Sequence, residues 1–424
     1  MWFKVLFILC LINSVYSFNY TKNNLTSGQI IHYTSNNTNS NNLQIHVFDV
    51  GQAMSQLWVY PDGFSVFIDG PEHNWNKDEV ASKLAKKIYN ILGSKNINVG
   101  IISHLHMDHL GMAGYGGIWA LIEKYGFTFN KIIDRNSGYW DNKSKDCTED
   151  NVKFINIGTY SSTAIKWICY ATDPNSKIYK IRENPKLCSD NQIKKPETIN
   201  INEIYNKKEN KNNTKNNQIS SKSFNKNSLV SKITIVSADA YGVIMPDGRL
   251  VQGDHHNEKY PPSENDYSIG LILQYGDFSF ATFGDLDGEY AKSPYDYYYD
   301  DIESSIITNL IEVDAYNVNH HGSSHSSNIN FLQKLNPSVS FISCGKGNSY
   351  GHPGQDTLDR LKKVNTQIYI TEDCDSSKNY YDSIIANNDI IITVSETTKS
   401  YNVCVGGSCK TYKSKGYTEL KCNF

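Results

Sequence analysis

The stretch "IISHLHMDHLGMAGYGG", residues 101–117, constrains this chain more than any other part of it. It closes the short apolar run "NVGII", which reads as a strand buried on both faces, as in parallel sheets covered by helices. Directly behind that strand, His104, His106, Asp108 and His109 crowd three imidazoles and a carboxylate into six residues. Such groups are costly to bury without partners. On extended backbone His104 and His106 point the same way. Gly111, Gly114, Gly116 and Gly117 make the turn that follows. A strand end opening on such a turn lies at the rim of a sheet, where α/β sites are found. Imidazole with carboxylate suits a borderline divalent ion such as zinc, and also manganese or iron.

The surrounding pattern predicts an α/β fold. "LQIHVFDV" and "QLWVYPDGFSVFID" read as strands, the second pair turning at Pro61-Asp62-Gly63. "KDEVASKLAKKIYNILG" has apolar residues at helical spacing and ends at Gly93, and "IWALIEKYG" is a second helix. "SKITIVSAD", "SIGLILQYG" and "FSFATFGD" are strand-like, and "DIESSIITNLIEV" is a helix or a helix-to-strand passage. Beyond it, strand, loop and helix alternate to about residue 373. Alternation in both parts predicts a layered α/β domain over residues 43–373, with two similar halves that each carry a sheet.

The ends and one insertion differ in composition. Residues 1–17 combine Lys4, an apolar stretch from Val5 to Ile12 and a small-residue site near Ser17, which reads as a secretory signal peptide. No later segment is long and apolar enough to span a membrane. Residues 18–42 are rich in Asn, Thr and Ser and read as a disordered lead-in. Residues 190–232 are an Asn/Lys-rich stretch with little to bury, read as a dispensable surface insertion. Residues 374–424 read as a small β-rich tail.

Secretion makes the cysteines disulfide candidates. Nine cysteines less Cys10 of the signal leave eight, and no CxxC pair offers a thiolate metal site. In "NVCVGGSCK", Gly406-Gly407 as a hairpin turn places Cys404 opposite Cys409. Asn19, Asn24, Asn36, Asn142 and Asn212 begin glycosylation sequons. The net charge of −3 gives no basic excess to mark a nucleic-acid or membrane surface.

Five segments in order resemble the metallo-β-lactamase superfamily, and in particular its branch with the soluble domain of bacterial competence DNA-uptake channels. They are "HVFDVGQ" with "FIDGP", "HLHMDH", "ENDYSIGLILQYGDFSFATFGDLD", "NVNHHGSSHSS" and "GKGNSYGHPG". The resemblance implies a four-layer αββα sandwich holding two divalent ions, zinc or else manganese, at the sheet edges. By position, His104 and His106 would hold one ion, Asp108, His109 and His352 the other, and Asp285 would bridge them. Asp69 would buttress the loop, and His320 and His321 would belong to the site. Asp266 is the carboxylate in the slot where many members place a third histidine. His325 falls outside the ligand set, and His255 and His256 read as loop histidines that could contact an ion or substrate. One departure is Ala53-Met54 after "DVGQ", where the branch has Gly-Asp, and it is expected to act on substrate contacts.

Two ions about 3.5–4 Å apart can share a hydroxide and lower the pKa of its parent water towards about 7. Asp108 or Asp285 would orient that hydroxide, and His321 would protonate a leaving oxygen. The chain is therefore expected to be a secreted metal-dependent hydrolase of a phosphodiester, either a small molecule or a nucleic acid. The rivals are hydrolysis of a lactone, lactam or thioester, and a non-catalytic extracellular metal-binding protein. No protein partner is indicated.

Overall fold

The computed structural model describes residues 42–71, 79–189 without 115, 142 and 144, 192–193, and 231–422 without 396. The expected signal peptide, nearly all of the lead-in, the five sequon asparagines and most of the insertion lie outside these residues.

An antiparallel meander opens the fold: β1 (Leu43–Val47), β2 (Gln56–Val59) and β3 (Ser65–Ile68). Asp62 Oδ1 accepts from the Phe64 N–H at 3.1 Å and closes the turn between β2 and β3. Helix α1 (Glu79–Leu92) buries Ala81, Leu84, Ala85 and Ile88, one face at three- and four-residue spacing. It leads to β4 (Asn96–Ile102), parallel to β3; α2 (Met107–Leu110) and α3 (Gly117–Glu123) lead to β5 (Thr128–Asp134), parallel to β4. A small hairpin of β6 (Gly138–Trp140) and β7 (Val152–Phe154), helix α4 (Ser162–Thr172) and short β8 (Arg182–Glu183) complete this part.

The second sheet begins with antiparallel β9 (Ser231–Ser237), β10 (Gly270–Tyr275) and β11 (Phe278–Thr282). A small tyrosine-bearing hairpin, β12 (Ala291–Lys292) and β13 (Tyr298–Tyr299), follows. Parallel β14 (Ala315–Asn317), β15 (Val339–Ile342), β16 (Gln367–Ile370) and β17 (Ile384–Ile385) extend the sheet from β11. The chain then returns to the first sheet as β18 (Ile390–Val394), β19 (Ser400–Val405) and β20 (Ser408–Lys413).

One apolar cluster draws Ile45, Trp58, Val66 and Ile101 from the first sheet together with Ile235, Leu271, Phe280 and Phe341 from the second. A second cluster joins Leu57, Phe67 and Ile132 to Leu84, Leu121 and Trp167 of the helices α1, α3 and α4. A third joins Ile272, Ala281 and Ile342 to Ile302, Phe331 and Leu361 of the helices Ile302–Ser305, Ile329–Leu335 and Gln355–Lys363. The protein is thus a mixed α/β fold built on two principal sheets. None of its helices is long and apolar enough to cross a membrane among the described residues.

Three expectations need correction. The sheets are not consecutive halves: β18 pairs with β1, Leu43 opposite Val394 and Val47 opposite Ile390, so the C-terminal strands cover an edge that β1 would otherwise expose. The insertion is narrower than residues 190–232. Gln192 and Ile193 are buried, Gln192 is tied to Lys186 N and Asn184 O at 2.6 Å each, and Ser231 and Lys232 pair with Tyr275 and Gln274 in β9. Of the two readings of "DIESSIITNLIEV", the single helix gives way to a passage: one helical turn, Ile302–Ser305, and a 3₁₀ turn, Ile307–Asn309, lead on to β14. All eight remaining cysteines pair, as Cys147–Cys169, Cys188–Cys422, Cys344–Cys374 and the expected Cys404–Cys409.

Candidate metal centre

The C-terminal ends of β3, β4, β11, β14 and β15 converge on one cleft, the place where open α/β sheets carry their sites. The ends of β3 and β4 deliver Asp69 and the stretch from Ser103 to His109. That of β11 delivers Asp285, that of β14 delivers His320 and His321, and the loop after β15 delivers His352. Two contacts tie the sheets together beneath it: Ile269 N to Ser103 O at 3.0 Å, and Gln56 Nε2 to Thr282 Oγ1 at 3.0 Å. Gly284 has a φ of +58°, and a Cβ there would meet the Ser103 side chain at 2.8 Å, so glycine lets Asp285 approach the histidine loop.

Asp108, His109, Asp285 and His321 each aim one donor atom into a common space, all within 4.8 Å of one another. His109 Nε2 lies 3.3 Å from His321 Nε2 and 3.0 Å from Asp285 Oδ1. His321 Nε2 lies 3.3 Å from Asp108 Oδ2 and 3.6 Å from Asp285 Oδ2. Donors bound at 2.0–2.1 Å around a tetrahedral zinc are about 3.3 Å apart, so this spacing suits one such ion. The tautomers agree. His109 Nδ1 faces Asp69 Oδ2 at 2.8 Å and His321 Nδ1 faces the Ser343 carbonyl at 2.8 Å, so both rings keep the Nδ1 proton and turn Nε2, the atom that would bind an ion, to the common space. Asp285 Oδ1 is buried without a hydrogen-bond partner, an orphan that a cation would satisfy. The residues present therefore fit a divalent ion.

Beside this group, His104 Nε2 lies 3.1 Å from His106 Nδ1 and 3.9 Å from Asp285 Oδ2. Asp285 thus stands between the two histidine sets, as a bridging ligand must. His352 stands further out: its Nδ1 is 3.4 Å from Gln52 Nε2, and its ring centroid is 6.1 Å from that of His321. His321 therefore joins the inner donors and His352 the cleft wall. With Nδ1 donating to Ser343, His321 offers a lone pair to the cleft rather than the proton expected of it.

The electrostatics follow from crowding. Burial would raise the Asp285 carboxyl, but His109, His321 and His320 hold it well below the usual range. With no ion bound, burial would lower His109, but Asp285 and Asp69 raise it well above its ordinary value, so an incoming ion takes the place of a proton on Nε2. Burial, reinforced by His109, depresses His104. For His320, burial is outweighed by Asp287 and Asp285, leaving it at about 9. Its Nδ1 faces Asp287 Oδ1 at 2.9 Å, and its Nε2 is 3.9 Å from Asp285 Oδ2. His320 and His321 both hold left-handed backbone, φ 48° and 53°, unusual for such side chains and a mark of a constrained site.

The supports were only partly visible beforehand. Asp69 accepts from Ser103 N and Ser103 Oγ at 2.8 Å each, besides His109. A buried Arg135–Glu264 pair went unread: Arg135 Nε reaches Glu264 Oε1 at 2.6 Å, and that oxygen accepts from Leu105 N at 2.9 Å. Glu303 caps the "HHGSSHSS" loop, taking Ser327 N, Asn328 N and Asn319 Nδ2 at 2.5, 2.6 and 2.8 Å. Asp287 was also missed. The sequence signal is present for two of them: Arg135 directly follows β5, and Glu264 opens the "ENDYS" segment that also holds Asp266.

Asp266 lies elsewhere: its oxygens accept from Ser263 N at 2.9 Å and Asp300 N at 3.1 Å, a capping role. Ala53 and Met54 are buried, Met54 N donates to Asp108 O at 3.1 Å, and the departure at this point acts under the loop, not on a substrate surface. His255 and His256 pair locally with Glu258 and Asp254 at 2.9 and 2.5 Å. His325 lines the cleft and stacks on Tyr299, centroids 4.8 Å apart.

No family model matches the chain. Among characterised proteins it is similar to ComE operon protein 3 of Bacillus subtilis (strain 168), with 32% identity over 112 residues, 26% of this chain and 13% of that protein. The likeness is partial, and the chain spans only about an eighth of that protein's length.

Proposed function

We propose that the chain is a secreted metal-dependent hydrolase of phosphodiesters, built as a four-layer αββα sandwich of the metallo-β-lactamase type. The observation that carries this reading is the convergence of one donor atom each from Asp108, His109, Asp285 and His321, all within 4.8 Å of one another, at a cleft of about 540 Å³. His104 and His106, facing Asp285 from the other side, would hold a second ion. When bound, divalent ions would supply Lewis acidity and a nucleophile at neutral pH. The protein's own groups do the rest. Asp69 fixes His109, and the Arg135–Glu264 pair fixes the loop at Leu105. Asp287 orients His320, whose Nε2 faces the cleft and donates to the leaving oxygen. The phosphodiester class rests on the motif resemblance. Four disulfides suit an oxidising compartment.

The test is metal analysis of the purified protein, then removal and return of zinc or manganese while phosphodiester, lactone and lactam substrates are assayed. Metal-dependent cleavage of the phosphodiester is expected. Full metal content with cleavage only of lactone or lactam would move the assignment to carbonyl chemistry. Metal bound tightly with no turnover of any substrate would make the chain a binding protein.

A further inference from the structure

One wall of the cleft is made of tyrosine. The segment "YAKSPYDYYYD" folds as the β12–β13 hairpin, and Tyr295, Tyr297 and Tyr299 line the cleft from it. Tyr350 lines it from the loop that carries His352. Tyr295 is 79% and Tyr350 63% exposed, so two large rings stand in water at the mouth of the site. Further in, Tyr350 stacks on His352 with centroids 5.7 Å apart at 25°, and Tyr299 stacks on His325 at 4.8 Å and 20°. Aromatic faces therefore run from the mouth towards the donors. The described lining includes no lysine or arginine. A polyanion gripped along its backbone needs such cations, whereas every nucleobase offers a flat face for stacking on tyrosine.

We propose that Tyr295 and Tyr350 form a stacking subsite for unpaired nucleobases next to the scissile phosphodiester. The site then selects short or single-stranded nucleotide substrates by their bases, and a duplex, whose bases are already stacked and paired, is excluded. This rests on the phosphodiesterase reading above and adds to it the part of the substrate that is recognised.

The experiment compares a thymidine tetranucleotide with an abasic tetramer of equal length and charge. Calorimetric binding is measured on the metal-stripped full chain, and hydrolysis on the metal-loaded one. The thymidine tetramer should bind roughly tenfold more tightly than the abasic one. In Tyr295→Ala/Tyr350→Ala the ratio should collapse towards one, while Tyr295→Phe/Tyr350→Phe should retain it, because stacking needs the ring and not the hydroxyl. Equal binding of the two tetramers by the wild type, no binding of either, or a preference that survives the double alanine change would each overturn the subsite. Base-dependent binding without metal-dependent hydrolysis would sink the phosphodiesterase reading and leave the subsite standing. Hydrolysis of both tetramers at equal efficiency would do the reverse.

Discussion

At the residue scale, the centre is a balance of charge. Asp285 sits between two sets of imidazoles, and an amide there can neither bridge two cations nor offset their repulsion. Asp285→Asn should lower the metal content and reduce hydrolysis by more than about 100-fold with the circular dichroism unchanged. His325→Ala, outside the inner donors, should keep its metal. Normal metal content in Asp285→Asn would remove that residue from the ligand set. Asp69 acts through His109, holding its Nδ1 proton so that Nε2 faces inward. Asp69→Asn should weaken metal affinity about 10–100-fold. An unchanged affinity would show that the ring keeps its place without the carboxylate. The histidines of the "HLHMDH" loop are legible in the sequence because their spacing is local. Their partners Asp287, Glu264 and Arg135 are not, because each is an isolated charge until the strand ends meet.

At the element scale, β1 shows how a strand edge is used twice. It pairs with β2 on one side and β18 on the other, and His46 in its middle is buried. Burial lowers the His46 imidazole from 6.5 to about 4, against the weaker pull of Asp389. The unfolded chain therefore binds this proton more tightly than the native one, and unfolding free energy rises with pH between about 4 and 6.5. That stability is complete above pH 6.5 and is lost on acidification through this window. From pH 7.5 to pH 5 the loss due to His46 should be about 2 kcal/mol. Denaturant melts of the wild type and His46→Gln at the two pH values would show it as a shallower slope in the variant. Parallel slopes would mean that another group carries the acid sensitivity. The sequence pattern marked β1 as a strand, but nothing within residues 43–47 says that residues 390–394 will lie beside it.

At the scale of the whole molecule, the segment between β8 and β9 is set apart by its composition. Its Asn/Lys-rich middle has too little apolar content to add to a core, and loop length costs little closure entropy. Replacing residues 195–229 with a short Gly/Ser linker should leave the melting temperature within a few degrees and leave metal content unchanged. Extending the cut to 190–232 should cost about 2–5 kcal/mol, because Ile193 belongs to the core between the sheets and Ser231 begins β9. A collapse on the shorter replacement would show that the middle of the segment supports the fold.

The sequence by itself determined the local facts: the elements with strong periodicity, the Cys404–Cys409 hairpin, and the crowded "HLHMDH" loop that calls for a cation. These depend on residues a few positions apart, where backbone geometry alone decides which side chains meet. The tertiary structure decided which distant groups complete the centre. It brought His321 into the inner set, placed His352 at the wall and sent Asp266 to a cap. It also returned the C-terminal strands to β1 and lined the cleft with four tyrosines. Those outcomes depend on how two sheets pack and where their strand ends converge. Such contacts span up to hundreds of residues and leave no periodic trace in the chain.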